Sequence, residues 1–311
     1  MNLIPLIKGE IFKIQKSKSF ILSLMLVTVV VIVSAFISFN SYTGDWRINL
    51  EKKVNDDWTL LSNINQDDMA FDIIQKEIIL NTYHLTHDIP PSGSGHLISY
   101  IEKYAGITSL IGLIIMFYAS NMVSKENTWG TLKMMLLRPY NKEEILISKY
   151  ISLLYIGIVM YIFTFILLNI SGVIIYGLDT ISFTSVALNT NGELFEQNAI
   201  IQIIKRYLYS FLLLSAYTAL AIMISVIFNN SNLSIVITVF TFIFGGSLSA
   251  YFSEYTWANF LFFSNTGLDS FGVGQTLSLE PSPVFSTTII LLYTIVFIFC
   301  SMAIFKKRQY V

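Results

Sequence analysis

Two short groups of residues in this chain are of types that could do chemistry. His84-x-x-His87-Asp88 offers two imidazoles and a carboxylate, a possible ligand set for a metal ion. Pro90, two residues further on, bends the chain there, so a solvated turn is expected and no metal centre. Glu143-Glu144 pairs two carboxylates, but an intramembrane protease needs such a pair inside the bilayer with histidine partners. The three histidines, His84, His87 and His96, all lie in a distant polar segment. Neither a His-Glu-x-x-His zinc pattern nor a Gly-x-x-x-x-Gly-Lys-[Ser/Thr] phosphate cradle occurs. The expectation is a chain that is not an enzyme and has no cofactor of its own. Cys300 is the single cysteine and sits in an apolar run, which excludes a disulfide framework.

The elements that hold these groups belong to a membrane. Of the 311 residues, 54% are apolar or aromatic and 13% are charged, about half the share carried by a soluble domain. A net charge of −1 argues against nucleic acid as a partner, because phosphate neutralisation needs a basic surface. Six apolar runs are long enough to cross the hydrocarbon: 19–40, 105–123, 150–176, 207–228, 233–252 and 286–305. None contains Asp, Glu, Lys or Arg. An ion-coupled carrier usually binds its driving ion on such residues, so that class is disfavoured. The first run is too long for a signal-peptide core and is read as a retained span.

Charge sets the orientation. Placing both termini in the cytoplasm puts twelve basic and four acidic residues inside, against seven and sixteen outside, as the positive-inside rule requires. The fold class expected is an all-α membrane protein of six transmembrane helices in a plasma membrane. Residues 1–18 form an interfacial elbow helix, with Leu3, Ile4, Ile7, Ile11 and Ile14 on its apolar face and Glu10, Lys13 and Lys16 turned away, the lysines near anionic lipid. Residues 41–104 form a small outer module of one or two amphipathic helices, ended by Pro90-Pro91-Ser92-Gly93-Ser94-Gly95. Residues 177–206 and 253–285 are further outer segments, the latter with an interfacial or re-entrant run at Trp257–Phe263. Residues 306–311 form a cytoplasmic tail.

The cytoplasmic loop 124–149 is the richest stretch. Thr131 to Leu137 predicts a short helix, which Arg138-Pro139 must end. A second helix then starts at Asn141, where Glu144 completes a capping box and Tyr140 with Ile145 forms a hydrophobic staple. Such an ordered, basic element fused to two spans is suited to pass a push from a cytoplasmic partner into the membrane. A loop that only obeys the charge rule is the plainer alternative.

The run Glu126-x-x-x-Gly130-Thr131-Leu132-Lys133-x-x-Leu136-Leu137-x-Pro139, followed by Lys142 and Ser148-Lys149, resembles the signature of ABC-2 type transporter permeases. The resemblance covers about 25 residues, and six spans with an interfacial start extend it along the chain. Two departures are the long outer module and Tyr140-Asn141-Lys142 in place of the family's Ser-Arg. The resemblance implies the transmembrane subunit of a bacterial ABC exporter. Its partners would be an ATP-binding subunit, which carries the ATP and Mg, and a second permease copy or paralogue. It further implies that Glu126, Gly130, Thr131, Leu137, Arg138, Pro139 and Lys149 couple ATPase motion to the spans.

Cargo is less constrained. Tyr155, Tyr161, Thr164, Tyr217, Thr218, Thr238 and Thr241 would suit an amphipathic peptide, antibiotic or lipid-like substrate, and would equally suit helix packing through hydrogen bonds. Sodium export is one alternative, and a membrane sensor or scaffold with a ligand-binding outer module is another.

Overall fold

The computed structural model describes residues 3–41, 46–64, 69–91, 96–130, 140–177, 183–188, 194–228, 230–252, 255–268 and 282–307. Six helices in it are long and apolar enough to cross a membrane, and sheet is confined to one hairpin among the described residues. The segment expected at the interface is α1 (Ile4–Gln15), whose first turn takes Pro5 where no backbone donor is needed. Ser17 then turns the chain: its Oγ donates to the Ile14 carbonyl and accepts from the Phe20 amide, capping α2 (Lys18–Ser41).

The segment expected to form an outer module is two helices, α3 (Trp46–Leu61) and α4 (Met69–His87), tied by the ion pairs Lys53–Glu77 and Arg47–Asp88. Asp88 ends α4 with φ of 58°, a left-handed conformation that aspartate adopts more readily than most residues. Then α5 (Leu97–Tyr104), a 3₁₀ turn (Ala105–Ile107) and α6 (Thr108–Met122) lead to the short α7 (Ser124–Thr128).

The longest helix is α8 (Lys142–Tyr176), opened by the expected Asn141–Glu144 capping box. A hairpin of β1 (Thr184–Leu188) and β2 (Leu194–Asn198) pairs Thr184 with Asn198 and Leu188 with Leu194, and leans on α4. Three spans follow: α9 (Ala199–Phe228), α10 (Ser231–Tyr251) and α11 (Pro283–Lys307). Several helices overrun the apolar windows by up to eight residues, because those windows mark only the part that must avoid water.

At the centre stands α9, the most buried of the six spans, with α6, α8, α10 and α11 around it. Its run Leu214-Ser-Ala-Tyr-Thr-Ala-Leu-Ala221 supplies the small residues that let neighbouring backbones approach, since lipid offers helices little hydrophobic drive to associate. Hydroxyls join the spans: Thr108 bonds Ser210 at 3.0 Å, Ser120 bonds Thr238 at 3.2 Å and Ser225 donates to the Ser120 carbonyl at 2.8 Å. Thr164, Thr218 and Thr241 bond the carbonyl one turn back in their own helices. On α2 a broad apolar face including Leu22, Val29, Ile32 and Phe36 is exposed, as a lipid-facing surface must be.

The Trp257–Phe263 region folds as two 3₁₀ turns, Thr256–Phe260 and Phe263–Asn265. Buried Phe262 meets Tyr217, Tyr293 and Phe297 edge-on at 5.2 to 5.5 Å, and the Phe263 ring lies directly on Gly245. This segment is a plug between α10 and α11.

Candidate functional site

Three elements far apart in sequence converge at the end of the bundle opposite the outer module. From α1 come Glu10 and Lys13, from α7 comes Glu126, and from the second turn of α8 comes Lys149. The Lys149 ammonium is completely buried and lies 2.7 Å from Glu10 Oε1 and 2.6 Å from Glu126 Oε2. Lys13, half exposed, bonds Glu126 and lies 3.7 Å from Glu10 Oε2. Two cations and two anions close on one another.

Each arm is set locally. Leu6, Glu10 and Ile14 follow one another at helical spacing on the face of α1 that packs against α8. The Ser152 hydroxyl lies 2.6 Å from the Ser148 carbonyl and 3.3 Å from that of Ile7, joining the two backbones one turn above Lys149. Ser124 fixes α7 by bonding the Ser120 carbonyl and Ser225. The capping box fixes the start of α8, and Lys306 at the end of α11 reaches Glu143 at 3.0 Å.

This corrects the expected face of α1. Glu10 does not turn away from the apolar side but lies within it, 1% exposed, while Ile4 is 56% exposed. The reason is Lys149: an unpaired carboxylate there would be prohibitively costly, and a buried ammonium at bonding distance makes the position tenable. Burial lowers the affinity of Lys13 for its proton, but Glu10 and then Glu126 outweigh this, and its pKa stands above the ordinary lysine value.

Of the residues expected to couple, Glu126 and Lys149 are in direct contact. Gly130 follows α7 with φ of 71°, a conformation open to glycine and strained for most side chains. Thr131, Leu137, Arg138 and Pro139 lie outside the described residues, as does the expected helix of 131–137. Glu10 and Lys13 were not among the expected residues. The available signal was a carboxylate at the same helical phase as Leu3, Leu6 and Ile14.

The histidines are occupied otherwise. His84 is buried with Nδ1 at 2.8 Å from the Ile89 carbonyl, His87 stacks on Tyr83 at 3.8 Å, and Asp88 pairs with Arg47. Among the described residues no three His, Cys, Asp or Glu side chains are grouped to hold a metal. Chemically the cluster is a neutral clamp, holding α1, the end of one span and the start of the next in one register.

The chain belongs to the DUF2705 family, described as a protein of unknown function, whose model matches residues 68–311. It is similar to the uncharacterized protein YhcI of Bacillus subtilis (strain 168), with 30% identity over 253 residues that cover 80% of each chain. It is also similar to the uncharacterized membrane protein YdbK of the same organism, with 25% identity over 218 residues, 69% of this chain and 83% of the relative. This is a helical, multi-pass integral membrane protein.

Proposed function

We propose that this chain is the membrane-spanning permease subunit of an ATP-driven bacterial exporter, working with a separate ATP-binding subunit. The buried clamp is the observation that carries the reading. A partner pushing on the stretch between Glu126 and Lys149 would move α1, α7 and α8 together, because the charges cannot part without leaving one unpaired out of water. A clamp of this kind would let a push on the loop reach the interfacial helix and the third span together. The 124–149 motif supports the same assignment.

In this reading the clamp faces the cytoplasm, where the basic residues concentrate, and both termini share that side. Closure of the ATP-binding subunits biases two permeases, identical or paralogous, between inward-open and outward-open arrangements. Cargo is an amphipathic peptide, antibiotic or lipid-like molecule. ATP and Mg belong to the partner, and Glu126, Gly130, Thr131, Leu137, Arg138, Pro139 and Lys149 transmit its motion without catalysing anything.

The test is purification of the tagged chain from its own host in mild detergent, with mass spectrometry of companions and an ATPase assay on the same sample. An ATPase subunit with vanadate-sensitive turnover is expected, together with uncoupled turnover in a Glu126→Gln variant that still assembles. A chain that purifies alone and without turnover refutes the exporter reading and favours a membrane sensor.

A further inference from the structure

A cleft of about 240 Å³ lies near the module end of the bundle, between α6, α9 and α10, with Thr266 of the plug at its edge. Glycines make the room. At Gly157, Gly172 and Gly245 an added Cβ would come within 3.1 Å of a neighbouring side chain, so those glycines serve close packing. Gly112 and Gly246 line the cleft, and a Cβ on either would meet nothing within 4 Å. These two positions keep space open.

The interior suits a hydrocarbon chain. Thr108 and Ser210 satisfy each other, and the Tyr161 hydroxyl donates to the Ser210 carbonyl at 3.1 Å. Tyr217 and Phe242, edge to face at 5.0 Å, present ring surface. The mouth is lateral, because the lining residues that are exposed are Ser109 on α6 and Ile243 with Gly246 on α10. It opens onto the apolar exterior.

A cation stands at the rim. Arg206 is one turn from Ser210 towards the module, and its Nη2 would lie 3.2 Å from a Cβ on Gly106, two residues before Thr108. Its Nη1 donates to the Glu102 carbonyl at 2.9 Å. Arg206 Nε and the neighbouring Tyr207 hydroxyl are buried without a hydrogen-bond partner among the described residues. Those two atoms are closed to an outside ligand, but the guanidinium as a whole is only partly buried, and a cation at a membrane boundary favours an anionic acceptor.

We propose that the cleft holds one acyl chain of an anionic phospholipid from the surrounding leaflet, with the lipid phosphate on Arg206. The apolar interior takes the chain, the lateral mouth admits it, and the charge selects the headgroup. The inference does not depend on the exporter reading, because it concerns the opposite end of the bundle.

The experiment uses the full chain with whatever subunits accompany it, extracted in mild detergent and examined by native mass spectrometry. Thermal unfolding is then followed with dioleoyl phosphatidylglycerol or dioleoyl phosphatidylcholine added back after delipidation. Wild type should retain an anionic phospholipid and gain several degrees from phosphatidylglycerol alone. Gly246→Leu, which fills the cleft, should lower retention tenfold or more while eluting as one peak. Arg206→Gln should keep a lipid but lose the headgroup preference. Equal stabilisation by both lipids, or undiminished retention in Gly246→Leu, would overturn the proposal. So would Gly246→Leu dissociating an oligomer without losing lipid, which would make the cleft an interface between copies. If Gly246→Leu does not fold, an unchanged headgroup preference in Arg206→Gln overturns it instead.

Discussion

Replacing Lys149 by methionine keeps the stem and removes the charge on which three elements converge. At 2.6 to 2.7 Å each carboxylate attracts the ammonium by about 6 kcal/mol at an effective permittivity near 20. The two together, about 12 kcal/mol, are offset by several kcal/mol for each of three ions taken out of water. The intact clamp is therefore near break-even, and its value is positional. Without the ammonium both attractions vanish, while the desolvation of Glu10 and Glu126 remains, relieved only by half-exposed Lys13. Lys149→Met should cost about 3–5 kcal/mol, a factor of about 10² to 10⁴ in the folding equilibrium. Unfolding of the purified chain in mixed micelles, titrated with sodium dodecyl sulfate, reads this directly. The neutral triple variant Glu10→Gln, Glu126→Gln, Lys149→Met should recover all but about 1 kcal/mol. A single variant that loses less than about 1 kcal/mol, or a triple variant no more stable than the single, would refute the reasoning.

Three other perturbations test separate parts of the structure. Gly172→Ala would bring a methyl within 2.5 Å of Leu97 and 3.0 Å of fully buried Tyr100, and should cost about 1–3 kcal/mol by the same titration. Asn141→Ala removes half of the capping box and should cost about 0.5–2 kcal/mol, with hydrogen exchange faster in the first turn of α8 and unchanged beyond it. Burial holds the His84 imidazole below the ordinary histidine value, only partly opposed by its bond to the Ile89 carbonyl. The unfolded module then binds the proton first, so stability present above the ordinary value is lost as pH falls from there through the lowered one. Exchange protection across residues 69–89 should weaken between pH 7.5 and 5 in wild type and hold level in His84→Gln.

The spans were legible because a bilayer leaves a one-dimensional trace: about twenty apolar residues in a row can be counted without knowing their neighbours. The start of α8 was legible for a related reason, since Asn141 and Glu144 satisfy backbone groups three residues away. Glu10 was not. Its partner is 139 residues distant, and on a helical wheel a carboxylate is assigned to the polar side unless that partner is known. The β-hairpin went unread although Asn191-Gly192 between its strands is a strong turn signal, because a five-residue strand such as Thr184–Leu188 has too little alternation to stand out among apolar runs. The cleft could not be read at all: Gly112 and Gly246 look like Gly157 and Gly245 in sequence, and only three-dimensional neighbours tell room from contact.

The length of α8 has a mechanical meaning. At 1.5 Å per residue its 35 residues make a rod of about 52 Å, some 20 Å longer than the hydrocarbon is thick. The clamp grips it at Lys149, and Gly172 seats it against Leu97 and Tyr100 about 35 Å further along. A tilt of about 5° at the grip carries the seat roughly 3 Å sideways, where there is not room for a methyl group. The rod cannot swing toward α5 at that end without displacing it. If the proposed coupling holds, a displacement that starts small among buried charges would arrive geared up at the other end of this rod.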